Sequence, residues 1–270
     1  MAPSATKGAR PPVTTIVSDA PPSPAGALAS EADARLHLAA VYRLLAHYGM
    51  DDTIFTHASV RVPGEADAFL INPYGLLFGE ITPSSLVKMS YDGRLLGPSN
   101  YPANAAGYVI HSAVLQARPE IGCAVHTHTR AGVALSCLEE GLLPLNQFAL
   151  EFHGKVGYHD YEGVALDLDE QERLGRDLAD FPVLVLRNHG LLTVGHTPAA
   201  AFYLMYYLEQ AARVQMDVLA SGRPFRLPPD AVARHTAGQF STSTDPTRTG
   251  QRMWPAMLRL LDETQPGWRN

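Results

Sequence analysis

The stretch AVHTHTRAG, residues 124 to 132, constrains this chain more than any other. Ile121, Cys123 and Val125 alternate with Ala124, His126 and His128, the period of a strand whose side chains leave opposite faces in turn. Both imidazoles then share one face, about 7 Å apart at their Cα atoms. A buried imidazole without a partner is costly, so the fold must bring a partner to that face. FPVLVLRNHG, residues 181 to 190, offers one: an apolar strand ends in Arg187, Asn188 and His189 before Gly190. Strand ends are where α/β proteins place ligand-bearing residues. Two neutral imidazoles from one strand and a third from another strand end can hold one metal ion. His126, His128 and His189 are therefore the expected metal ligands and catalytic centre.

The other segments build a scaffold for that pair of strands. Ser30 with Asp33 reads as a capping box, and Leu36, Ala40, Val41, Leu44, Leu45 and Tyr48 follow at helical spacing up to Gly49. DAFLINPYGLLFGEI holds a short strand followed by turns, and LVKMSYDGRLL reads as a hairpin closed at Asp92-Gly93. NAAGYVIHSAVLQA is helical in period, and Thr197-Pro198 caps a long helix that ends at Gly222. Residues 234 to 250 are polar and rich in Gly, Ser and Thr, which predicts a loop or mobile lid, and MWPAMLRLLDETQPGW supplies a short final helix. The expected organisation is a disordered arm over 1–28, one α/β domain over 29–233 with helices flanking a mixed, largely antiparallel sheet, and a loop and docked helix over 234–270.

Charge and composition narrow the partners. A net charge of -6 over 270 residues, without clustered Lys or Arg, argues against nucleic acid and anionic membrane, and for a small-molecule substrate. Cys123 and Cys137 form neither a disulfide framework nor a thiolate metal site. The N-terminal residues lack a signal-type apolar core, and the apolar runs fall short of about 18 residues, so a cytoplasmic location is expected.

AVHTHTRAG and LRNHGLLTVG, with GLLPLNQFAL and YHDYEG between them, resemble the class II aldolase/adducin family over nearly all of residues 30 to 222, and again in the terminal WPAMLRLLD. The resemblance implies a three-layer α/β/α domain, a divalent metal on His126, His128 and His189, and a homotetramer with active sites at subunit interfaces. It also exposes departures. The family's sugar-phosphate aldolases carry Ser-Ser-Glu ahead of a helical His, the Glu serving as metal ligand and acid/base. With His111 setting the register, Ala105, Ala106 and Gly107 stand there instead. The phosphate loops Gly-Asn-x-Ser and Thr-Pro-Thr-Gly correspond to THAS, 56 to 59, and NPYG, 72 to 75. The pattern NAAGYVIHSAV is similar to the adducin-like branch.

Losing a general acid/base removes a contribution of about 10² to 10⁴ in rate, which disfavours a phosphorylated-sugar retro-aldol reaction. Three neutral ligands leave open positions suited to a chelating 2-oxo or 2-hydroxy acid. The favoured expectation is an Fe(II)/O2-dependent enzyme similar to the bifunctional iron oxygenases of aminocoumarin antibiotic biosynthesis. That resemblance implies oxidative decarboxylation of a prenylated 4-hydroxyphenylpyruvate to a mandelate and then a 4-hydroxybenzoate. A Zn- or Mn-dependent lyase on an unphosphorylated carbonyl substrate and a non-catalytic adducin-like oligomerisation module are the alternatives.

Further residues are candidates for holding the substrate. His57 and Asn72 lie in the segments matching the family's phosphate loops, and Arg187 and Asn188 flank His189, where either could meet a carboxylate. Tyr158 and His159 are candidates for proton donation or for holding a ligand imidazole. His111 reads as a buried, hydrogen-bonded brace for the strand that carries His126.

Overall fold

The computed structural model describes residues 28–242 and 245–270. The arm expected over 1–28 lies outside them except for Leu28. In chain order the elements are α1 (Glu31–His47), β1 (His57–Arg61), β2 (Ala68–Ile71), β3 (Val87–Ser90), α2 (Ala105–Ala117), β4 (Cys123–Thr127), α3 (Arg130–Ser136), α4 (Gln147–Glu151), β5 (Val156–His159), α5 (Glu170–Leu178), β6 (Val183–Leu186), β7 (Gly190–Gly195), α6 (Pro198–Ala220), α7 (Asp230–Thr242) and α8 (Pro246–Thr264).

The expected start and stop signals operate. Ser30 Oγ accepts the Asp33 N–H at 3.1 Å to open α1, and Thr197 caps α6 with Pro198 in its first turn. Gly49 and Gly222 take positive φ after the last turns of α1 and α6, the conformation that ends a helix at least cost in glycine.

Among the described residues, one sheet of seven strands runs in the order β3-β2-β1-β4-β7-β6-β5, and only the β5–β6 pair is parallel. Alternating side chains divide the core. Cys123, Val125, Val183, Val185 and Leu191 join one cluster, with α1, α6 and α8 residues such as Leu38, Phe202 and Leu261. Ala124, Leu184, Leu186, Leu192 and Val194 join the other, with Val114 of α2 and Leu174 of α5. The chain is thus a three-layer α/β/α structure built on a mixed sheet, and the period-two pattern of each strand decides which residue meets which helical layer.

One expectation about local structure is corrected. Residues 234–242 and 246–250 are helical rather than loop: α7 spans Asp230–Thr242 and α8 begins at Pro246. Asp245 caps α8 by accepting the N–H groups of Thr247 and Arg248. Gly250 belongs there because a Cβ would come within 2.7 Å of the Ala199 carbonyl oxygen, so the small residue permits α8 to lie against α6. Low helix propensity is a weak prior that such packing overrides.

Helix α4 carries Glu151 into the interior, where it is 2% exposed. Tyr203 donates to its Oε2 at 3.2 Å, and Oε1 has no partner among the described residues. Burial raises its carboxyl to about 7, against the smaller opposing effects of the Tyr203 hydroxyl and Lys155. The unfolded chain then ionises at lower pH than the folded one, so this residue's cost grows as pH rises from about 4.5 to about 7 and is constant above. Glu151→Gln is expected to stabilise the fold at pH 8 relative to its effect at pH 4.5, with a difference on the order of 3 kcal/mol at most. Denaturant unfolding at both pH values measures it; an equal effect at both would refute the assignment.

Candidate metal centre

The centre forms where β4 and the β6–β7 connection end side by side. His126 is the penultimate residue of β4, and His128 stands between that strand and the first turn of α3. Thr129 caps α3 by accepting the Gly132 N–H at 3.2 Å and donates to the buried Glu209 carboxylate at 2.5 Å, which fixes the backbone next to His128. Residues Arg187 to His189 connect β6 to β7 in a tight antiparallel hairpin, with Leu186 opposite Gly190. Asn188 adopts φ +55 in this turn, a left-handed position that Asn tolerates better than most residues. His189 is thereby returned toward β4.

The Nε2 atoms of the three rings converge. His126 Nε2 lies 2.9 Å from His128 Nε2 and 3.2 Å from His189 Nε2, and all three fall within 4.8 Å of one another. Two of their tautomers are set from behind. The Leu191 carbonyl, 2.9 Å from His126 Nδ1, can only accept, so His126 carries its hydrogen on Nδ1. The Asp52 carboxylate, 3.0 Å from His128 Nδ1, imposes the same choice. The two Nε2 lone pairs therefore face each other, an arrangement that a cation between them makes favourable. Burial first, and then the neighbouring imidazoles, holds His126 well below the usual histidine range. The same causes lower His189 to about 4. Protons are consequently scarce there at neutral pH. Metal–nitrogen bonds of about 2.0–2.1 Å with ligands 90° to 110° apart require nitrogens roughly 2.9 to 3.4 Å from each other, and the two shorter separations fit.

A cavity of about 520 Å³ opens onto this centre. His57, His128 and His189, with Thr56 and Asn104, supply its polar wall, and Phe55, Tyr74, Ile110, Tyr161, Val164 and Leu166 much of its apolar wall. Among the described residues, no Lys or Arg lines it.

Of the expected substrate-holding residues, the structure brings His57 to the cavity and not the others. His57 is the cross-strand neighbour of His126 on β1, with ring centroids 4.9 Å apart. Asn72 is fully buried, and its Oδ1 accepts from Tyr42 at 2.9 Å. Arg187 donates to the carbonyl oxygens of Leu138 and Glu139, and its guanidinium stacks 4.3 Å over the Tyr158 ring. The Tyr158 hydroxyl accepts the Leu142 N–H at 3.1 Å, so this pair braces the 138–142 turn. Asn188 is exposed in its hairpin. His159 turns toward α5, with Nδ1 2.8 Å from the Asp177 carboxylate and Nε2 3.4 Å from that of Glu170. His111 is buried as expected, but it braces β1 rather than β4 through bonds to His57 and Ser59.

Other contributors carry no readable spacing. Asp52 orients His128 from a loop 76 residues earlier in the chain. Thr56, also on the cavity wall, takes φ +63 with its hydroxyl buried and unpartnered. A β-branched residue in the left-handed region costs about 1–3 kcal/mol and persists where the surroundings impose it. The apolar wall at 161–166 comes from a loop whose sequence shows no periodicity.

The family profile described as Class II Aldolase and Adducin N-terminal domain matches residues 36–216. The chain belongs to the class II aldolase/adducin family. Among its relatives, a Pseudomonas aeruginosa protein carrying the provisional name aldolase class 2 protein is 48% identical over 245 residues, covering 89% of this chain and 93% of the relative. Alpha-adducin of Rattus norvegicus is 40% identical over 241 residues, covering 84% of this chain but 33% of the adducin. An L-fuculose 1-phosphate aldolase from Glaciozyma antarctica has a similar structure, with a TM-score of 0.79 at 28% identity, covering 93% and 97% of the two chains. In this class II aldolase/adducin chain, Gly107 on α2 leaves no room for a longer side chain. A Cβ there would sit 2.9 Å from His57 Cδ2 and 3.1 Å from Ile71 Cδ1.

Proposed function

We propose that this chain is a zinc- or manganese-dependent lyase acting on an unphosphorylated, metal-chelating carbonyl substrate. The convergence of three Nε2 atoms, two with lone pairs fixed by Leu191 O and Asp52, carries this reading. His126, His128 and His189 would hold the ion, which as a Lewis acid supplies polarisation of a substrate carbonyl. The chain's own side chains bind and orient. Leu191 O and Asp52 keep the ligand rings aimed, Phe55, Tyr161, Val164 and Leu166 shelter an apolar part of the substrate, and His57 stands beside His126. A phosphate group would find no guanidinium or ammonium on this wall, which supports an unphosphorylated substrate. The names of the relatives favour a lyase over the iron oxygenase expected from the sequence.

Likeness to alpha-adducin supports a second reading, a non-catalytic oligomerisation module. A homotetramer fits both readings, because exposed Phe55, Tyr161, Val164 and Leu166 gather at the cavity mouth, where a second copy could cover them. Among the described residues no helix is long and apolar enough to cross a membrane.

One assay separates these readings. Zinc- or manganese-loaded protein is incubated without oxygen with a panel of unphosphorylated β-hydroxy carbonyl acids, and aldehyde release is followed. Metal-dependent release supports the lyase. Oxygen uptake by Fe(II)-loaded protein with a 4-hydroxyphenylpyruvate-type acid, and no aldehyde from the zinc form, would replace it with the oxygenase. A chain that binds no metal and keeps its assembly state when His126 is replaced would be the structural module.

A further inference from the structure

We propose that His57 presents a fixed N–H donor, from Nε2, to an acceptor oxygen of the substrate, and that Gly107 exists to make room for it. The proposal deepens the reading that the cavity takes a chelating carbonyl compound, and names the group that meets it beside the metal ligands.

Hydrogen-bond accounting sets the polarity. Ser59 Oγ lies 2.5 Å from His111 Nδ1, and His111 Nε2 lies 2.8 Å from His57 Nδ1. Ser59 and His111 are both 0% exposed, and the Ser59 hydroxyl has no other partner among the described residues. If Ser59 donates to His111 Nδ1, then His111 carries its hydrogen on Nε2 and donates to His57 Nδ1. His57 must then carry its own hydrogen on Nε2. Every donor in that chain has an acceptor except the last, which lies in the cavity wall. The opposite polarity would leave the Ser59 hydrogen buried with nothing to accept it, a deficit that disfavours it by about tenfold or more. The relay therefore ends in a donor.

Two further observations place that donor in a ligand site. His57 packs over Gly107, where any Cβ would come within 2.9 Å of its ring, so the imidazole takes up the space an acidic side chain at 107 would enter. Thr56, next to it, is 1% exposed and holds an unpartnered hydroxyl on the same wall. An imidazole N–H suits a carboxylate or carbonyl oxygen. It does not suit an ammonium, which brings only donors.

The test reads tautomers first. In full-length protein labelled with ¹⁵N-histidine, long-range ¹H–¹⁵N spectra at neutral pH should show His57 and His111 as Nε2–H forms and His126 as the Nδ1–H form. Ser59→Ala should shift His57 and His111 toward the Nδ1–H form while leaving His126 unchanged. An Nδ1–H form of His57 in the unsubstituted protein, or indifference to Ser59→Ala, overturns the proposal. Oxalate binding to the zinc-loaded protein, by calorimetry, then reads the donor itself. His57→Phe should weaken oxalate about tenfold at equal zinc content, and His57→Asn, which keeps an N–H donor, should recover most of the loss. Unchanged oxalate affinity in zinc-loaded His57→Phe also overturns it. If His57→Phe fails to take up zinc, the tautomer result decides alone. Absence of lyase turnover would leave the tautomer result intact and would count only against the reaction class.

Discussion

Replacing His126 by Ala is expected to lower metal content from near one ion per chain to below a tenth, with affinity reduced on the order of a thousandfold and lyase turnover lost. Removing a group that merely orients a ligand costs about 10- to 100-fold in affinity, and His126 is itself the ring whose Nε2 faces both of the others. The fold should survive, because Ala fits the strand and the Leu191 carbonyl, which stays in the β4–β7 ladder, loses one donor, a cost of about 1–3 kcal/mol at most. Melting with and without zinc distinguishes the two effects. Zinc at about one hundred times its Kd should stabilise the unsubstituted protein by about 2.7 kcal/mol, and His126→Ala should melt at the same temperature with or without it. A variant that retained zinc and its zinc-dependent shift would sink the three-histidine assignment.

Gly190→Ala is the second large effect, and it reaches the same centre without replacing a ligand. A Cβ at Gly190 would lie 2.4 Å from the Thr127 carbonyl oxygen, 3.3 Å from His128 Cδ2 and 3.4 Å from His126 Cε1. The first of these atoms is backbone in the partner strand and cannot rotate away, so β4 and β7 must part where they carry the ligands. Overpacking of this kind costs about 1–3 kcal/mol or more. Displacement of the imidazoles should lower zinc affinity by about 100-fold. Metal titration of the folded variant, with denaturant unfolding beside it, checks both numbers. Loss of stability with unaltered zinc affinity would show that Gly190 serves the sheet alone.

Much of the fold could be read because its signals are local. Ser30, Thr197 and Pro198 opened the helices they were expected to open, and the alternation around Cys123 put His126 on the face shared with Ala124. The helical residues 234–242 and 246–250 could not be read that way, although the helix from Met253 onward could. Their Gly, Ser and Thr content argues for a loop until Gly250 is seen against the Ala199 carbonyl, a contact between residues far apart in the chain. Asn72, Arg187 and Tyr158 show the converse limit. Polar residues expected to hold substrate found partners in Tyr42, the 138–142 turn and each other, since a buried polar group bonds to whatever the packed fold puts within reach.

The sequence by itself determined the layers, the sheet's alternation and the three histidines, because helix caps and the period of a strand depend on neighbours a few residues apart. Only the tertiary structure decided what stands behind those histidines and beside them. Asp52 behind His128, Leu191 O behind His126, and the Ser59–His111–His57 relay over Gly107 join positions separated by tens of residues. Which nitrogen holds a hydrogen, and which space a ring fills, are settled by distances that exist only once the strands have paired.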